Sequence, residues 1–141
     1  MREILNMEVP LQRLDEVARA VAEKLGSDAV IFLRGDLAAG KTTLVKALAK
    51  VKGHEDAVTS PTFSIQQIYG DDLYHYDLYQ CPNEKFAAMG LLEGLEAPGW
   101  HLIEWGDDAL LRLLKSYGFS PYLLTIEPTE EGRRYRMVQN A

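Results

Sequence analysis

The stretch "AVIFLRGDLAAGKTTLVKAL" (29–48) constrains this chain more than any other. Residues 29–33 form an unbroken run of apolar β-formers, which reads as a strand buried on both faces. The spacing of Leu44, Val45, Leu48 and Val51 predicts a helix over about 41–51. Between the two, Gly35, Gly40, Lys41 and Thr42 match G-x-x-x-x-G-K-[ST], the phosphate-binding P-loop pattern. By average residue frequencies, such a match arises by chance in about one chain in 200 of this length. Here it also falls between a strand and a helix, the context that its chemistry requires. Glycines let the backbone turn tightly, so that amide N–H groups along Gly35, Asp36, Leu37, Ala38, Ala39 and Gly40 can point at phosphate oxygens. The helix adds the unpaired donors of its first turn, Lys41, Thr42 and Thr43, and the positive end of its dipole. Lys41 brings a mobile charge to the β- and γ-phosphates of a nucleotide, and the Thr42 hydroxyl is a hard ligand for Mg2+.

Around this unit, helices and strands interleave. Leu11, Leu14, Val17, Ala18, Val21 and Leu25 recur at helical spacing, with Gly26 as the stop. Residues 62–79 read as two strands around a Gly70-Asp71 turn. A helix is expected from about Asn83 to Leu95, with Phe86, Met89 and Leu92 as its apolar side. "WHLIEW" (100–105) is a strand, residues 107–118 an amphipathic helix ended by Gly118, and 122–138 a closing hairpin through Thr129–Gly132. The fold class expected is a three-layer α/β P-loop NTPase-like fold, its sheet parallel at the centre and antiparallel at the edges.

At 141 residues the chain suits one domain over 1–141, which would bury about 70% of its unfolded surface. The formal net charge of −6 argues against a grip on nucleic acid by this chain alone, since such binding rests on clustered Lys and Arg. The one dense basic stretch is "GRRYR" (132–136). Cys81 is alone, so no internal disulfide can form, which suits a reducing compartment. The N-terminal residues do not read as a signal peptide and no run of about 20 apolar residues occurs, so a cytoplasmic protein without a membrane span is expected.

A P-loop alone does not separate a kinase, a GTPase, a motor and a small switch ATPase. No Asn-Lys-x-Asp guanine-reading motif occurs; "NEKF" (83–86) lacks the final Asp. Nor is there length for the lid and acceptor insertions of a nucleoside kinase. Glu104 ends an apolar strand, where open α/β sheets place ligand-facing residues, although a solvated carboxylate would read the same. Asp77 shares a strand face with His75, and it could equally tie up a backbone amide or a tyrosine hydroxyl. Thr62, after Pro61, is either a strand residue or a hydroxyl that meets the γ-phosphate. Arg133 could reach the nucleotide or a partner, or simply be solvated. His54, His75 and His101 lack metal-ligand spacing, and surface or packing roles are expected of them.

Taken together and in order, "GDLAAGKTT", "SPTF" (60–63), "HYDLY" (75–79) and "IEW" (103–105) resemble the TsaE (YjeE) family over residues 10–136. These are bacterial P-loop ATPases that assist in making threonylcarbamoyl-adenosine at position 37 of tRNAs reading codons that begin with A. The resemblance implies ATP and Mg2+ as cofactors and TsaD and TsaB as partners that carry the transferase chemistry. It implies that Glu104 holds Mg2+ with Thr42, and that Asp77 positions the attacking water beside the γ-phosphate. Thr62 would sense ATP against ADP, and Trp105 would pack near the nucleotide and support Glu104. The sequence departs from the family pattern at Ala38, where Gly is usual, at Gln80, where Arg is common, and at Gly106, where Pro is frequent. No arginine finger is evident within the catalytic motifs. Two rivals stand beside the ATPase reading: a small-molecule kinase, and a module that holds its nucleotide without turnover.

Overall fold

The computed structural model describes residues 2–35, 40–54, 66–79, 81, 85–86 and 90–139. Thr62 and Gln80, with loop residues Asp36, Leu37, Ala38 and Ala39, lie outside them. Among the described residues, seven strands form one sheet: β1 (Arg2–Val9), β2 (Ala29–Arg34), β3 (Gln66–Tyr69), β4 (Leu73–Asp77), β5 (Trp100–Glu104), β6 (Tyr122–Pro128) and β7 (Arg133–Gln139). Their order is β1-β7-β6-β2-β5-β4-β3. The central pairs β6–β2, β2–β5 and β5–β4 are parallel, and the outer pairs β1–β7, β7–β6 and β4–β3 are antiparallel.

The strand period of two sorts β2 cleanly. Ile31 and Leu33 pack with helix α1 (Leu14–Leu25) and helix α2 (Lys41–Val51) on one face. Val30 and Phe32 pack on the other face with the short helix α3 (Leu91–Gly94) and helix α4 (Asp108–Ser116). With both faces covered, a continuously apolar strand is the stable solution, as the sequence suggests. The result is helix, sheet, helix.

Helix α1 buries Leu14, Val17, Ala18, Val21 and Leu25, the stripe expected. Leu11, read as part of that stripe, is 55% exposed because it belongs to a 3-10 turn, Leu11–Arg13, that precedes the helix. Val51 is likewise exposed, in the last turn of α2. The β3–β4 connection takes three residues, not the two of a Gly70-Asp71 turn, since Tyr69 pairs with Leu73. Of the helix expected from Asn83 to Leu95, Asn83 and Met89 lie outside the described residues, and α3 starts afresh at Leu91 behind Gly90, whose left-handed φ is 76°. Strand β1 is an element that the sequence reading lacked; it pairs with β7 from Arg2 to Val9, with a register shift between Glu3 and Leu5. His101 takes the packing role expected: its Nδ1 meets the Tyr76 hydroxyl at 2.7 Å, and Nε2 lies 2.8 Å from the Ala97 carbonyl. Burial holds its imidazole below the usual histidine pKa.

No helix among the described residues is long and apolar enough to cross a membrane.

Candidate nucleotide site

The parallel pairing brings three strand ends together. Glu104, last in β5, pairs in register with Leu33 of β2 on one side and Asp77 of β4 on the other. One step beyond Leu33 and Arg34, Gly35 begins the loop to α2. Candidates from distant parts of the chain thus meet at the carboxyl ends of the central strands, where open α/β sheets bind ligands.

Gly40 is the N-cap of α2 with φ 98°, a conformation that glycine adopts without strain. Among the described residues no side chain caps this helix, and its first-turn amides have no partner within the helix itself. Lys41 is only 3% exposed. Its Nζ donates to the Gly35 carbonyl at 2.8 Å and lies 3.4 Å from the centre of the Trp105 indole, a cation–π contact. Thr42 is half-buried and Thr43 exposed in the same turn. A cavity of about 280 Å³ opens here, lined by Leu33, Arg34, Gly35, Lys41, Trp105, Gly106 and Asp107. A larger cavity, about 500 Å³, lies at the opposite ends of the central strands, among Asp28, Gly99, Phe119 and their neighbours, away from every motif above.

Trp105 is held in place by an unusual backbone: its φ of 64° is the single positive value among the described non-glycine residues. Gly106 follows it against the Phe32 ring, and a Cβ there would sit 2.6 Å from Phe32 Cε2. Tyr79 packs on Trp105 with ring centres 5.1 Å apart, and stays half exposed at the edge of the site.

The carboxylates differ. Asp77 is half-buried and accepts the Tyr79 N–H on Oδ1 at 3.0 Å, so it ties up a backbone amide as one of its two readings allowed. Glu104 is 5% exposed, and its Oε2 is hydrogen-bonded to His75 Nε2. His75 is 1% exposed, so the pair is buried; the sequence offered a surface or packing role for it. The alternation of β4 was the one available signal, since it puts His75 and Asp77 on the face that Glu104 shares. Burial first, and then the Glu104 charge, push the Tyr69 phenol up.

Arg133 is not a solvated charge. It is half-buried, its Nη1 is buried with no hydrogen-bond partner among the described residues, and that atom lies 2.1 Å from where a Cβ on Gly40 would be. The guanidinium therefore sits against the loop glycine. Among the described residues, no three His, Cys, Asp or Glu side chains are gathered to hold a metal by themselves.

The sheet order, with a glycine-flanked loop between a central parallel strand and a buried-lysine helix, defines an α/β protein of P-loop-like fold. A crystal structure of YdiB from Bacillus subtilis superposes with a TM-score of 0.69, covering 99% of this chain and 88% of that one at 24% identity. The family model for "Threonylcarbamoyl adenosine biosynthesis protein TsaE" matches residues 10–136. The chain belongs to the TsaE family. Among its relatives, the tRNA threonylcarbamoyladenosine biosynthesis protein TsaE of Aquifex aeolicus is 40% identical over 104 residues, 70% of this chain and 77% of that protein. The Bacillus subtilis protein of the same name is 36% identical over 120 residues, 77% and 74% of the two chains. The Treponema pallidum protein is 40% identical over 90 residues, 62% and 67%.

Proposed function

We propose that this chain is a Mg2+-dependent ATP hydrolase that serves threonylcarbamoylation of adenosine 37 of tRNA as an accessory to a TsaD–TsaB complex. The reading includes one catalytic domain over 1–141 in the cytoplasm. The observation that carries it is the buried Lys41 ammonium at the uncapped head of α2, beside the end of the strand that bears Glu104. The Gly35 carbonyl and the face of Trp105 hold that ammonium at the strand ends, within reach of a phosphate chain laid along the loop. The donor set fits a nucleotide triphosphate: helix-head amides, a lysine, and the Arg133 guanidinium, whose Nη1 has no hydrogen-bond partner among the described residues.

Lys41 would leave the Gly35 carbonyl for the β- and γ-phosphate oxygens, and amides from Gly35 to Thr43 would hold the phosphate chain. Arg133, lying against Gly40, would add a second positive charge to the loop. Thr42 and Glu104 would hold Mg2+, which when bound neutralises charge on the β- and γ-oxygens. Asp77, paired in register with Glu104, would orient the attacking water, and Thr62 would report the γ-phosphate to the partner. Trp105 would wall the site beside Lys41.

The test measures ATP binding at equilibrium beside steady-state phosphate release. Lys41→Ala should weaken binding and abolish hydrolysis. Glu104→Ala and Asp77→Ala should keep much of the affinity, because the loop amides remain, and lose most of the turnover. Parent-like turnover in Lys41→Ala would remove the P-loop assignment, and parent-like turnover in either carboxylate variant would make that residue structural. A phosphorylated acceptor in place of free phosphate would favour a kinase.

A further inference from the structure

We infer that His75 is a positioning residue for hydrolysis: its imidazole fixes one oxygen of Glu104 and so aims the other at the nucleotide. This rests on the reading of Glu104 given above. Parallel pairing sets Asp77 beside Glu104 and His75 beside Leu102, so His75 stands one pleat deeper on the same face. Leu73, Leu102, Tyr69 and Trp100 on that face belong to the apolar core that α1 and α2 cover. Packing confines a carboxylate so nearly buried but does not choose which oxygen faces outward; the hydrogen bond from His75 to Oε2 does.

The bond also fixes the ring. Toward an ionised carboxylate, which only accepts, Nε2 is the donor, and Nδ1 lies on the other side of the ring. Nδ1 is buried and unpartnered among the described residues, so the hydrogen bond to Glu104 is the ring's one described polar contact. A leucine or methionine could fill the same space without stranding a nitrogen. What only the imidazole contributes is a donor aimed at Oε2. Such a partner behind a metal-binding carboxylate typically matters 10- to 100-fold without touching the substrate.

Two near-isosteric variants isolate the donor: His75→Met removes it, and His75→Gln returns an N–H close to the Nε2 position. Calorimetric titration of ATP in EDTA and in Mg2+, phosphate release, and melting curves are measured for each. His75→Met should bind ATP in EDTA like the parent. It should lose about 10- to 100-fold in kcat and in the Mg2+-dependent gain of affinity, and His75→Gln should recover most of both. In a Glu104→Gln background, His75→Met should add nothing further. Equal losses in Met and Gln variants, equal weakening in EDTA, or parent-like values in His75→Met overturn the inference. An inactive Glu104→Gln beside a parent-like His75→Met leaves the ATPase reading standing, whereas an active Glu104→Gln removes both. If His75→Met does not fold, nitrogen-15 spectra of the histidine-labelled parent decide. The His75 Nε2 signal should shift with Mg2+–ATP and not with ATP in EDTA; no difference between the two overturns the inference.

Discussion

Arg133 enters the site from the hairpin near the far end of the chain and stops with its Nη1 against Gly40. Nothing local in "GRRYR" distinguishes it from the arginines that follow. Arg134 and Arg136 turn to Asn6 and Glu3 on β1, so the period of the strand, with the pairing of β7 to β1, selects which guanidinium is left for the loop. If it stabilises charge at the phosphates, Arg133→Ala should lower kcat by about 100-fold or more with a smaller change in ATP affinity. Stopped-time phosphate assays and equilibrium titration would check this, and an unchanged kcat would return Arg133 to a packing role. Lys41 and Glu104 were legible because one lies in a spaced motif and the other ends an apolar run. The His75–Glu104 pair was not, because it exists only once β4 and β5 are in parallel register.

Element boundaries near the site were readable where chemistry punctuates them. The apolar run gave β2, and Gly40-Lys41 gave the start of α2. Strand β1 was missed although Leu5, Met7 and Val9 alternate with Asn6 and Glu8. Its alternation covers only half the strand, because the register shifts between Glu3 and Leu5. After β5 the chain turns through Trp105 and Gly106 and restarts at Asp107, whose carboxylate accepts the Leu110 N–H at 2.8 Å and caps α4. Asp107→Ala should cost about 1 kcal/mol, read as a melting temperature lower by about 4 °C. Because α4 starts at the site's edge, ATP affinity should fall less than stability does. An unchanged melting curve would show that the cap contributes nothing.

The whole molecule is a small sheet with helices on both faces and no element set apart for a second substrate among the described residues. Its formal charge is −6, unfavourable for holding a polyanion. Taken alone it should hydrolyse ATP slowly where Arg133 stays against Gly40 and short of the γ-phosphate, since a cation missing at that point can slow P-loop hydrolysis by roughly 10³–10⁵. Purified TsaD and TsaB should change that rate, and tRNA should bind them and not this chain. A rate indifferent to the partners, or tight salt-sensitive tRNA binding by the isolated protein, would overturn the accessory role. Strand β5 adds a means of watching the cycle, because an indole stands at its first residue and another just past its last. Trp100 donates to the Gly26 carbonyl at 2.9 Å at the end away from the loop. Trp105 carries the Lys41 ammonium on its face. If nucleotide draws Lys41 away, only the second indole changes surroundings, so the protein's own emission becomes a label-free occupancy signal with an internal reference. Trp105→Phe should erase the ATP-dependent change and leave the Trp100 emission constant; a change that survives the substitution would mean that Lys41 is not what moves.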